Sequence, residues 1–199
     1  MRVFVLARHG ESQLNVERRI NGDPDVPVPL SERGQEEARR LGEQVEHFPL
    51  DACVHTRFPR TRETAVIALR EREDVPLVVE ARFDDIDIGD LEGQRIEDYR
   101  EWKHAHARSD AFPGGESLDD AARRYGRAFR GLLDSPWHSV LVVTHEIPIR
   151  YALNAAAGSD SLDGPAHEVS NAVPYLFDEA ALERAVRGIE RLVGAKIAS

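Results

Sequence analysis

The sequence predicts an α/β fold with a mostly parallel central sheet. Short apolar segments alternate with longer amphipathic ones, the two most apolar segments each run into a histidine-bearing turn, and no repeat or low-complexity tract interrupts the alternation. Residues 3–7 (VFVLA) form a continuous apolar run closed by a polar turn, as a strand buried on both faces requires. A helix is expected from residues 30–31 to about 48, with Ser31 as N-cap, Ala38, Leu41, Val45 and Phe48 along one stripe, and Pro49 as its stop. Residues 52–55 read as a second strand, and Pro59 suits the first turn of a helix carrying Thr64, Ile67 and Ala68. Residues 77–79 give a third strand, and residues 83–88 a further strand-like piece that places Asp85 and Asp87 on one face. A helix over 96–107 and the turn Pro113-Gly114-Gly115 mark residues 94–116 as a short helical lid. A helix over 117–133 leads into the strand 139–144, where four consecutive residues are Val or Leu. A helix over 149–157, an edge strand over 173–177 that tolerates Pro174, and a helix over 180–193 complete the chain.

At 199 residues, with 41% hydrophobic and 31% charged residues, the chain can bury one sizeable core, so residues 1–199 are read as a single domain. No apolar run approaches the roughly 20 residues of a membrane span, and Arg8 interrupts the N-terminal run before a secretory core forms, which points to the cytoplasm. The single cysteine, Cys53, excludes an internal disulfide and every all-thiolate zinc site. It reads as a buried strand residue. A net charge of -10 opposes nucleic-acid binding. Of the 26 positive residues only Lys103 and Lys196 are lysines; most of the arginines read as surface, and a few as candidates to grip phosphate bidentately.

In open α/β sheets ligands bind at the carboxyl ends of the strands. Arg8-His9-Gly10-Glu11-Ser12 follows the first strand, Thr144-His145-Glu146 the last strongly apolar one, and Arg57 and Arg60 follow the second. With Asp85 this rim collects two histidines, several arginines and a carboxylate. Such a set suits phosphoryl transfer, in which arginines neutralise the equatorial oxygens, a neutral imidazole attacks, and a carboxylic acid protonates the departing oxygen. Each residue alone has a blander reading as a core or solvated side chain. Asp84, Asp87, Asp90 and Glu92 read as an acidic surface loop, and Arg57 and Arg62 as surface residues. His104 and His106, two apart on a helix, do not share a face and make a poor metal pair.

Taken in order, these blocks resemble the histidine phosphatase superfamily, or phosphoglycerate mutase-like family, over most of the chain. The resemblance implies a three-layer α/β/α fold and a histidine acid-type phosphatase, a phosphoric monoester hydrolase acting on a small phosphorylated metabolite with no metal and no cofactor. In that likeness His9 is the residue phosphorylated, Arg8, Arg60 and His145 hold the phosphoryl group, and Asp85 is the proton donor. Asn15, Arg19, Asn21 and Gly22 match the polar positions that shape the phosphate and substrate pocket. Arg60-Thr61-Arg62-Glu63-Thr64-Ala65 resembles the second block, and Gly89 with Glu92-Gly93 aligns the third. Two positions depart from the pattern: Asp85 stands where Glu is commoner, and Glu146 where Gly is frequent. Glu146 is expected to point away or to pair with an arginine while its backbone N–H faces phosphate. The alternatives are a cofactor-dependent phosphoglycerate mutase and a catalytically degenerate phosphate-binding module. The lid carries four basic against five acidic residues, which favours product release over retention of a bisphosphorylated activator. The sequence leaves the physiological substrate and the oligomeric state open, a homodimer included.

Overall fold

The computed structural model describes residues 2–194, so Met1 and residues 195–199, Lys196 among them, lie outside it. Five strands form one sheet: β1 (Val3–Arg8), β2 (Ala52–His55), β3 (Leu77–Val79), β4 (Ser139–Thr144) and β5 (Pro174–Asp178), in the order β3-β2-β4-β1-β5. All pairs are parallel except β1 with β5. The antiparallel strand lies at the edge with Pro174 as its first residue, where a missing N–H costs no ladder bond.

Alternation along the buried strands separates two cores. Phe4, Leu6, Val54, Val140 and Val142 face one side, against α5 (Leu118–Asp134), α6 (Glu146–Ala156) and α7 (Glu179–Leu192). Val5, Ala7, Cys53, Leu141 and Val143 face the other, against α2 (Glu32–Val45) and α3 (Pro59–Ala68). The result is a three-layer α/β/α sandwich, with a short helix α1 (Gln13–Val16) above β1. Burial pushes the Cys53 thiol up to about 12, so it packs as a small apolar side chain. Among the described residues no helix is long and apolar enough to cross a membrane.

Helix starts follow their caps. The side chains of Ser31, Ser117 and Asp178 accept backbone N–H bonds at α2, α5 and α7. The helix expected from residue 149 begins three residues earlier, directly after His145, because Pro148 falls in its first turn and needs no N–H partner there. The strand-like piece expected over 83–88 is a correction: Ala81–Phe83 is a single 3₁₀ turn and residues 84–88 join no sheet. The guanidinium of Arg124 takes the carbonyls of Arg82, Asp84 and Asp85, which a ladder would otherwise have used. Asp85 and Asp87 consequently do not share a strand face. Asp87 turns to the Gly89 N–H.

Residues 94–116 carry α4 (Ile96–Ala105), which has no fully buried residue. Tyr99 and Trp102 pack on the buried Phe112 ring at centroid distances of 5.6 and 4.0 Å. The turn after β1 lies against the start of α2 with no room between backbones: a methyl on Gly34 would sit 2.0 Å from the Glu11 carbonyl oxygen. Gly34→Ala is therefore expected to destabilise the protein by about 1–3 kcal/mol, read by denaturant unfolding. An unchanged midpoint would show that this contact yields.

Candidate active site

The register of the two central strands sets the site. β1 and β4 run side by side with Arg8 opposite Thr144, so His9 and His145 leave the sheet as neighbours, their ring centroids 5.4 Å apart. The His9 backbone N–H donates to the Thr144 carbonyl (2.9 Å), and its own carbonyl accepts from the Asn171 amide (2.7 Å). Its ring orientation is fixed too. Nδ1 lies 2.7 Å from the Gly10 carbonyl, which only accepts, so Nδ1 carries the proton and Nε2 presents a lone pair.

Arg60, from the first turn of α3, is buried between the two imidazoles. Its Nε donates to His9 Nε2 (3.0 Å), and its Nη2 to His145 Nδ1 (3.2 Å) and Asp85 Oδ2 (3.2 Å). Nη1 donates to the Asn21 side-chain oxygen and Nη2 to the Asn21 carbonyl, and the guanidinium lies 4.3 Å over the Phe58 ring. Asp85 Oδ2 is also 3.4 Å from His145 Nδ1. Arg8 donates to the Val169 carbonyl (3.0 Å) and pairs with Glu146 (3.1 Å), while its buried Nε has no protein hydrogen-bond partner among the described residues. Glu146 is thus paired with Arg8 and, through its other oxygen, with Arg150 (3.2 Å). It opens α6, whose N-terminus has no side-chain cap.

The fully buried His145 stands against Arg60 and Asp85, which with Arg8, His9 and Glu146 line a cavity of about 650 Å³, together with Asn15, Arg19, Asn21 and Gly22. Not all four offer free polar groups to it. Asn15 caps α1, accepting the Ser12 N–H on its side-chain oxygen. Arg19, half-exposed at the mouth, donates to the Gly93 carbonyl (2.5 Å). The Gly22 N–H goes to Glu92 (2.6 Å), and the Asn21 amide is shared between Arg60, Glu92 and the Asp23 carbonyl. Asn21 and Gly22 therefore build the shelf that holds Arg60.

Burial is the first cause of every charge shift here. It holds the His9 and His145 imidazoles well below their ordinary value, and the neighbouring guanidinium groups, Arg60 foremost, push the same way. It raises Asp85 above the usual carboxylate range against the pull of Arg60, and it lowers Arg60. Ordinary values would leave the carboxyl ionised wherever imidazole is neutral. The opposed shifts favour neutral imidazoles beside a protonated carboxyl, a nucleophile–acid combination.

Several organising residues escaped the sequence reading. Glu92 takes three donors of the 21–23 turn, and Asp84, buried, pairs with Arg57 (2.5 Å), so neither belongs to the acidic surface loop expected there. Thr64 accepts the Gly10 N–H (3.0 Å), and Thr56 contacts His145 (3.1 Å). The one signal available was the run of threonines at 56, 61 and 64, following a strand and on a helix that reaches the rim. His106 stacks on Trp102 at 4.1 Å, and among the described residues no group of three or more His, Cys, Asp or Glu could hold a metal ion.

Two imidazoles, two guanidinium groups and a carboxyl converge at the carboxyl ends of the central strands on a three-layer α/β/α frame. The chain belongs to the histidine phosphatase superfamily (branch 1), whose sequence profile matches residues 4–189. It is similar to the "Probable phosphoglycerate mutase GpmB" of Salmonella choleraesuis, 29% identical over 161 residues that make up 77% of this chain and 74% of the relative. It superposes on the alpha-ribazole phosphatase of Shigella flexneri with a TM-score of 0.77 at 24% identity, covering 88% and 90% of the two chains. A mycobacterial glucosyl-3-phosphoglycerate phosphatase gives 0.72 at 25% identity, covering 88% and 89%.

Proposed function

We propose that this protein is a metal-independent phosphomonoester hydrolase working through a phosphohistidine. The observation that carries the reading is the single guanidinium of Arg60 touching both imidazoles and the Asp85 carboxyl at once. His9 Nε2 attacks phosphorus and the bond to the leaving oxygen breaks as Asp85 gives that oxygen its proton. Water then attacks the phosphorus, Asp85 takes the proton of the water, and the phosphorus–nitrogen bond breaks to release inorganic phosphate. Arg8, Arg60 and His145 hold the equatorial oxygens, supplying in fixed positions the positive charge that the transition state requires. The buried Nε of Arg8 gains a partner in a phosphoryl oxygen.

The chamber beyond the phosphoryl position indicates the leaving group. Ile20, Ile96, Tyr99, Trp102, Leu118 and Ile147 make an apolar wall, while Lys103 (3.6 Å), Arg108 and Arg150 (3.1 Å) on the same cavity share the Asp163 carboxylate. Such a wall favours an apolar or planar leaving group over a small carboxylate-bearing one such as phosphoglycerate. Hydrolysis of aryl phosphates in EDTA, with little conversion of 3-phosphoglycerate to 2-phosphoglycerate, is the expected result; efficient mutase turnover would reverse the assignment. Trp102→Ala is expected to lower kcat/KM for an aryl phosphate by about 10-fold while leaving that for a two-carbon alkyl phosphate nearly unchanged. Equal losses on both would remove Trp102 from leaving-group selection.

A further inference from the structure

His145 has a second face, on the side opposite Arg60, where one proton arrangement satisfies every group. The Thr61 hydroxyl donates to the Phe58 carbonyl (2.9 Å), with the Thr56 carbonyl as its other acceptor (3.4 Å), so its proton is committed to backbone. The Thr56 hydroxyl, 2.8 Å from Thr61 Oγ1, must then be the donor in that pair. What Thr56 Oγ1 retains is acceptor capacity, directed at the Phe58 N–H (3.3 Å) and at His145 Nε2 (3.1 Å). His145 Nε2 therefore carries a proton. The opposite ring nitrogen agrees with this arrangement: Arg60 Nη2 can only donate to Nδ1 and lies nearer to it (3.2 Å) than Asp85 Oδ2 (3.4 Å). All three side chains, His145, Thr56 and Thr61, are fully buried, so water does not substitute for these partners.

We propose that Thr56 is a positioning residue that pins the His145 proton on Nε2, confining every proton gain and loss of this ring to Nδ1, the nitrogen facing Arg60 and Asp85. The inference rests on the phosphoryl-binding reading of the site. With no anion bound, Nδ1 accepts from Arg60. When a phosphoryl group enters, Nδ1 takes one proton from solvent, and the imidazolium donates through Nε2 to Thr56 and through Nδ1 to the anion. The proton returns to solvent when phosphate leaves. The groups facing His145 from packed elements are Arg60 on α3, Arg8 at the end of β1 and His9 after it, Asp85 in the loop after the 3₁₀ turn, and Arg124 on α5. Four of these are cationic or neutral, and they oppose protonation until an anion offsets them. Without the Thr56 acceptor, a buried Nε2–H loses its only partner among the described residues and the tautomer balance moves toward Nδ1–H.

The test is ¹⁵N-histidine NMR on wild type, Thr56→Ser and Thr56→Val, with and without inorganic phosphate, His145 being assigned by its loss in His145→Gln. Expected are an Nε2–H tautomer in free wild type and in Thr56→Ser, an imidazolium pattern with phosphate, and loss of the Nε2–H preference in Thr56→Val. Phosphate affinity in Thr56→Val should fall about 10-fold, as loss of a charge-assisted hydrogen bond predicts. An Nδ1–H tautomer in free wild type overturns the proposal before any variant is made. An unchanged tautomer in folded Thr56→Val overturns it too, and a Thr56→Val that does not fold leaves the wild-type and Thr56→Ser spectra to decide. Absence of a phosphoenzyme with the tautomer intact would instead count against the hydrolase reading alone.

Discussion

His9→Ala is expected to lower kcat/KM for every phosphate ester by at least about 10³-fold and to abolish the phosphoenzyme altogether. The loss is large because no second group can substitute. His9 Nδ1 is held by the Gly10 carbonyl, so Nε2 keeps its lone pair on the cavity side, where Arg60 Nε holds it until a phosphoryl group takes that donor. His145 cannot take over, because its Nδ1 is engaged by Arg60 and lies beside Asp85, with the rest of the ring enclosed. Acid-labile, base-stable label from a ³²P-ester should appear on wild type and on His145→Ala but not on His9→Ala. Arg60→Ala should cost about 10²- to 10³-fold, the usual consequence of removing one fixed donor from a transition-state clamp. Label transferred to His9→Ala, or rates untouched by EDTA yet insensitive to His9, would overturn the assignment. Binding of phosphate with no label on wild type would favour the degenerate phosphate-binding module.

The parts of this site legible in the sequence are those attached to strand ends. The runs at 3–7 and 139–144 are apolar because both faces of the central strands are buried, and the polar residues that follow must then emerge at the sheet's rim. His9, His145 and Arg60 could be placed for that reason, and the ordered motif blocks added Asp85. Residues 83–88 were misleading: their alternation of Phe, Asp and Ile imitates a strand, but Arg124, forty residues away in sequence, holds their carbonyls. Glu92 and Thr56 were hidden for a related reason. Each acts on another side chain rather than on the cavity, through contacts of 71 and 89 residues' separation that no local pattern records. Glu146, expected to point away or to pair with an arginine, pairs with Arg8 and Arg150.

Asp85→Asn should separate substrates by their leaving groups. An alkoxide needs a proton as it departs, so kcat/KM for an alkyl phosphate should fall about 10²- to 10⁴-fold. A nitrophenolate departs unaided, and its ester should lose far less. The pH profile carries the same signature. Productive encounter needs His9 neutral and Asp85 protonated. Because burial moves the imidazole down from 6.5 and the carboxyl up from 3.8, activity on alkyl phosphates should be greatest on the acid side of neutrality. It should decline as pH rises through the raised carboxyl value, and that decline should vanish in Asp85→Asn. Stability follows a different course. Between their lowered folded values and 6.5, His9 and His145 bind protons only in the unfolded chain, so their contribution is complete above 6.5 and is lost as pH falls. Asp85 has the opposite sign: its contribution is present below 3.8 and is lost as pH rises through its raised value. Two imidazoles held well below their ordinary value outweigh one raised carboxyl, so acid should on balance weaken the fold over the range in which it favours the chemistry, and inorganic phosphate, by drawing a proton onto His145, should restore part of the loss. Denaturant midpoints measured from pH 7 to 5, with and without phosphate, test this directly; a midpoint that rises on acidification, or that phosphate leaves unmoved, would mean that the two imidazoles are not held neutral by burial.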